Sequence, residues 1–182
     1  MTKKFLQAPF FRSSQFAARI RLALAMIALV VATPSLGQAQ DSGIELGTQA
    51  PPAALETLDG KPADLARYVG KTPVVMEFWA TWCSNCKELE PAMLALHRKY
   101  GAKVRFVGVA VSVNQSAERA RLYVQKHAIP GDHYFDRRGN ASGAYDVPAT
   151  SYVVVIDRTG KVAYTGLGGK QPGLEAAIRK VM

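Results

Sequence analysis

The chain has 182 residues, 48% of them apolar and 20% charged, with a formal net charge of +9. This composition excludes a disordered, collagenous or low-complexity protein. Two cysteines are too few for a disulfide-stapled scaffold or a Cys-only zinc site.

The charge is unevenly spread. Residues 1–40 contain no acid, and Lys3, Lys4, Arg12, Arg19 and Arg21 precede the apolar run Leu22 to Ala32. A basic start, an apolar run and small residues in that order predict a secretory signal peptide. Gly37-Gln38-Ala39 supplies a small-x-small cleavage site, so the leader is expected at 1–39 and one folded domain at 40–182. A retained membrane anchor is the alternative. The apolar run as a helix would reach only about 17 Å, against a bilayer core of about 30 Å. No Cys lies between the apolar run and Cys83, so a lipoprotein anchor is not expected. In both cases the domain is expected outside the cytoplasm, in the periplasm. Cleavage takes five positive charges from the net +9 and leaves +4. The remaining Lys and Arg are scattered, so no nucleic-acid partner is expected.

Ile44 to Pro52 reads as an irregular lead-in. Ala54 to Thr57 and Lys61 to Asp64 can pair around the turn signal Asp59-Gly60, with Pro62 confining the second piece to an edge. Val74 to Trp79 is a short apolar run, the pattern of a strand buried on both faces. Cys83 to Tyr100 reads as a helix, with Leu89, Met93, Leu96, His97 and Tyr100 on one face and Gly101 as its stop. Val104 to Val111 is a second buried strand, and Ser116 to Ala128 a second amphipathic helix. A short segment, His133 to Asp136, leads into a loop. Ser151 to Asp157 and Val162 to Thr165 form a hairpin, and a last helix runs from Gly173 to Val181 after Pro172. Strands alternating with helices before a closing hairpin predict an α/β fold, a central mixed sheet with helices on both faces.

Cys83-Ser84-Asn85-Cys86 falls between the buried strand and the helix. There the first thiol is expected to stand exposed at the helix N-terminus. Unpaired N–H groups and the helix dipole favour its thiolate and lower its pKa below the free value of about 8.5. The second Cys lies one turn on, so the two sulfurs can form and open a disulfide with little backbone movement, as a two-electron exchange catalyst requires. Cys83 would attack or be attacked, and Cys86 would resolve the mixed disulfide. A c-type haem site would need His where Lys87 stands. A merely structural bridge would close too small a loop to stabilise much. Metal binding and an inert disulfide remain as alternatives.

The stretch Val74-Val-Met-Glu-Phe-Trp-Ala-Thr-Trp-Cys-Ser-Asn-Cys-Lys87 resembles the active-site segment of thioredoxins, closest to the exported TlpA-like thiol–disulfide oxidoreductases. Pro91 matches the proline that kinks the first helix in that family, and the hairpin with Asp157 and Gly160 also corresponds. The resemblance covers about Ile44 to Met182 and implies a thioredoxin-like three-layer fold. It also implies an acid in the buried strand, here Glu77, that exchanges a proton with the resolving Cys. Burial should raise the pKa of Glu77 toward neutrality.

Trp82 is expected to cover one side of the disulfide and, with Ser84 and Asn85, to contact substrate; Trp79 is expected in the core. Lys87 either aids the thiolate or is simply solvated. Relatives serving cytochrome c maturation often carry Glu three residues after the second Cys, where this chain has Leu89. The family also implies a cis-proline facing the disulfide. Val147-Pro148 is the candidate, although counting back from Asp157 places the family position near Ser151. The backbone from Val147 to Ser151 should contact substrate in either case. His97 and His127 read as packing residues, His133 as a residue that could lie near the site, and Tyr152 as sheet packing.

The expectation is a monomeric periplasmic enzyme that reduces disulfides of exported proteins, of the cytochrome c or copper-site maturation type. Its electrons would come from a membrane thiol carrier, because the chain shows no flavin or dinucleotide motif and no further Cys. No cofactor is expected. The alternative is a copper metallochaperone of the same fold, though such carriers space their two Cys by three residues rather than two.

Overall fold

The computed structural model describes residues 43–182. The expected leader, 1–39, lies outside the described residues. Seven strands form one sheet: β1 (Ala54–Thr57), β2 (Pro62–Asp64), β3 (Val74–Trp79), β4 (Arg105–Val111), β5 (Asp132–Asp136), β6 (Tyr152–Ile156) and β7 (Val162–Leu167). Their order is β2-β1-β5-β4-β3-β6-β7. The neighbours β3, β4 and β5 run parallel, and the remaining pairings are antiparallel. The helices are α1 (Ser84–Tyr100), α2 (Ala117–His127), α3 (Asn140–Ala144) and α4 (Leu174–Val181). This is the mixed, thioredoxin-like sheet that the sequence predicts.

Strand β3 lies inside the sheet between β4 and β6, which is why it is apolar nearly throughout. Its alternate side chains enter two cores. Val75 joins Val153 and Val155 of β6 beneath Leu89, Leu96 and Tyr100 of α1 and Leu174 and Ile178 of α4. Val74, Met76 and Phe78 join a larger cluster with Val107, Val109, Val154, Tyr145 and Ala120 of α2. Glu77 interrupts the apolar run on the same side of β3 as Val75 and Trp79.

Two elements differ from expectation. The segment at His133 is a full parallel strand, β5, inserted between β4 and β1. The loop after it contains α3, whose first amides are held by the buried Asp136 carboxylate. That group accepts from Ser142 N at 2.8 Å, Ser142 Oγ at 2.7 Å and Ala141 N at 3.3 Å. Five residues are too few to show helical periodicity, and the N-cap, Gly139, offers no side-chain cap to mark the start.

Candidate active site

Strand β3 ends at Trp79, and four residues later Cys83 caps α1. Cys83 has extended backbone (φ −75°, ψ 114°), and its Sγ accepts from Cys86 N at 3.0 Å. The sulfur thus takes the place of the oxygen that usually satisfies a first-turn amide. Cys83 and Cys86 are joined as a disulfide with their Cα atoms 5.3 Å apart. Pro91 lies inside α1 and cannot donate to the carbonyl one turn back.

The expected exposure of Cys83 is not met. Cys83 is 4% accessible and Cys86 7%. Both belong to the apolar cluster that contains Phe78, Trp79 and Ala80. Ser84, Asn85 and Lys87 are exposed around the pair. Trp82 is 43% accessible, and its Nε1 donates to Val113 O at 2.8 Å, which fixes the ring against the loop after β4. Gln115 ties the same loop to the redox turn: its Oε1 accepts from Thr81 N at 2.9 Å, and its Nε2 donates to Val111 O at 2.6 Å. No sequence signal marks Gln115.

The cis-proline expectation is corrected. Every described peptide bond is trans, including that of Pro148. Val147 packs against the cluster that holds the cysteines, and Pro148 is exposed beside it. The position that meets β3 is Ser151. It is fully buried, has φ 66°, donates its N–H to Phe78 O at 2.8 Å and its Oγ–H to Gly168 O at 3.1 Å.

Beneath the pair lies a cavity of about 50 Å³ whose walls include Cys86, Glu77, Glu90, Trp79, Tyr123 and His133. Enclosure, and secondly the negative charge of Glu90, push the Glu77 carboxyl up to about 8. Glu77 and Cys86 border one space. Burial holds the His133 imidazole below its usual pKa. His127, expected as packing, is exposed and pairs with Glu90 at 3.1 Å. Glu90 was identifiable as a neighbour of Cys86, four residues on and hence on the same helix face. Among the described residues, no three His, Cys, Asp or Glu side chains converge to hold a metal ion.

Comparison with known proteins places this arrangement. The family described as Redoxin matches residues 45–181. The chain is 31% identical over 124 residues to the thioredoxin-like protein YneN of Bacillus subtilis, covering 68% of this chain and 72% of that protein. It is 27% identical over 139 residues to the thiol-disulfide oxidoreductase ResA of Bacillus anthracis, covering 76% and 79%. Among solved structures, it is similar to a Chlorobium tepidum protein described as a candidate thiol:disulfide interchange protein DsbE. That match has 27% identity and a TM-score of 0.67, with 76% of this chain and 98% of the other covered. A secreted Mycobacterium tuberculosis disulfide oxidoreductase shares the fold at 24% identity and a TM-score of 0.60, over 70% and 94% of the two chains.

Proposed function

This chain belongs to the Redoxin family and is a thiol–disulfide oxidoreductase of the ResA/DsbE type; from that premise we propose that it works outside the cytoplasm as a reductant of disulfides in exported proteins. The observation that carries the chemistry is the sulfur cap: Cys86 N–H to Cys83 Sγ at 3.0 Å, at the positive end of α1. In the dithiol form, the Cys83 thiolate attacks one sulfur of the partner's disulfide. That bond breaks, one partner sulfur leaves as thiolate, and a mixed disulfide forms. Glu77 takes the proton of Cys86, whose sulfur attacks Cys83 Sγ. The second partner sulfur leaves, and the Cys83–Cys86 bond is restored. Two electrons pass to the partner in each cycle, and a donor dithiol must return them.

Trp82, Ser84, Asn85 and the exposed Pro148 with Val147 form the surface that a partner meets. We assign the donor to a membrane thiol carrier, and the partners to exported precursors with paired cysteines, such as haem-attachment or copper-site segments. The N-terminal basic and apolar order supports export, as a signal peptide or as an anchor. A monomer suffices for this cycle, since the reacting groups all come from one chain.

The test is the reduction potential of the Cys83–Cys86 couple, by equilibration with dithiothreitol and Trp82 fluorescence. A value near −270 mV (about that of thioredoxin) supports a reductant, and one near −120 mV would make this an oxidant that inserts disulfides.

A further inference from the structure

Glu77 is only partly buried, and it borders the cavity beneath the pair. The cavity beneath the pair connects it to a second group. A buried water needs about one probe sphere of room and two to four polar partners. The cavity of about 50 Å³ has the room. Its walls also have the partners. Both ring nitrogens of His133 and Nε1 of Trp79 find no hydrogen-bond partner among the described residues, and Glu77 and Glu90 add two carboxylates.

Glu90 leads outward. Its Oε2 accepts from Tyr123 Oη at 2.9 Å, and its Oε1 lies 3.1 Å from His127 Nδ1. The Tyr123 and His127 rings are stacked with centroids 4.0 Å apart, which holds the imidazole in place. The Glu90 side chain is 20% accessible and that of His127 35%, so the pair spans from cavity wall to solvent.

We propose that Glu90 and His127 are the proton outlet of the resolving step: the proton that Glu77 takes from Cys86 crosses the cavity through water to Glu90 and leaves by way of His127. No electrons travel this path. The S–S bond forms between Cys86 and Cys83 as the partner thiolate leaves, and one proton reaches the surface. In the reverse direction the same path delivers a proton to Cys86. The inference rests on Glu77 as the proton acceptor. The ionisable groups that face this space are Glu77 from β3, Glu90 and His97 from α1, Tyr123 from α2 and His133 from β5, with His127 of α2 outside Glu90. Burial lowers the pKa of His133, whose ring nitrogens are open to water, and His97 packs edge-on against Phe106 at 5.1 Å.

His127→Phe keeps a ring on Tyr123 and removes Nδ1. The reduced protein is mixed rapidly with a chromogenic aromatic disulfide that releases one thiolate on attack and the second on resolution. In dilute buffer near neutral pH, the second release is expected to slow about tenfold, or about 1.4 kcal/mol of barrier, with the first unchanged. Added imidazole should restore it. A second release at the wild-type rate, or a slow one that imidazole does not restore, would overturn the outlet. Glu90→Gln should slow the same step and move the midpoint of its pH profile downward, since the charge next to Glu77 is gone; an unmoved profile at full rate would also overturn it. Glu77→Gln separates the two ideas. If it alone is slow, only the outlet fails; if it resolves at the wild-type rate, the proton-acceptor reading fails and the outlet with it.

Discussion

The amide of Cys86 points at the sulfur of Cys83 across 3.0 Å, and no side-chain oxygen competes for that first-turn donor. A thiolate accepts this bond and meets the positive end of α1, whereas a thiol gains much less from either. In the reduced protein, Cys83 is therefore expected to titrate below the free value of about 8.5. Ultraviolet thiolate absorbance of a Cys86→Ser variant, followed against pH, isolates this group. A midpoint at or above the free value would mean that burial outweighs the cap.

Glu77 gives the fold a pH dependence of definite sign. Its ordinary value is 4.5, and enclosure, then the Glu90 charge, push it up to about 8 in the folded protein. Between those values the folded chain keeps a proton that the unfolded chain has lost. The stability contributed by neutral Glu77 is thus complete below pH 4.5, declines as pH rises and is gone above about 8. Glu77→Gln removes that slope. Urea unfolding should show the variant gaining on the parent between the two ends of this range by on the order of a few kcal/mol. Parallel pH profiles for the two proteins would contradict the burial of this carboxyl.

Gly108 of β4 keeps the cavity open. A Cβ there would come within 2.9 Å of His133 Cε1, closer still to Nδ1 of the same ring, and 3.0 Å from Trp79 Nε1. The Trp79 ring cannot swing away freely, since it is buried and packed at 5.6 Å from Tyr123. Gly108→Ala should cost about 1–3 kcal/mol through overpacking. It should also slow resolution of the mixed disulfide, because it fills the space next to Glu77. A variant of parental stability and rate would show that the wall yields.

Much of this architecture is readable from sequence, and the unread parts have physical reasons. The apolar run of β3 and the polar residues beginning α1 are local signals, so the placement of Cys83 and Cys86 at a strand–helix junction follows from short-range chemistry. The turn at Asp157 is equally local: its Oδ1 accepts from Thr159 N at 2.8 Å and Lys161 N at 2.9 Å. The pairing of Glu90 with His127 spans 37 residues and depends on how α2 settles beside α1, which no spacing rule encodes. The burial of Cys83 likewise depends on packing by distant segments. Ser151 is another such case: its N–H reaches Phe78 O on β3, a contact across 73 positions of sequence that no local signal encodes.

Ala128 ends α2 with φ 49° and ψ 43°, the left-handed conformation that glycine adopts without penalty. The chain there accepts the strain so that Ile129 N can reach Val124 O at 3.1 Å. Ala128→Gly should relieve it and stabilise the protein by about 0.5–1 kcal/mol, after allowing for the greater freedom of glycine in the unfolded chain. Thermal unfolding at fixed pH measures this directly, and a lower midpoint would show that the αL cost at this cap is negligible.

Every residue of β3 from Val74 to Trp79 is in register with a partner on β4, and Val74 to Phe78 also with β6. The redox turn starts at the next residue, so its base is the part of the sheet that opens least often. Deuterium should therefore enter the β3 amides only through opening of the whole sheet centre, at the same slow rate in oxidised and reduced protein. Any difference between the two redox forms should be confined to the first turn of α1. The enzyme then offers a partner a fixed anvil, and the bending required to bring two disulfides into line falls to the partner's own chain.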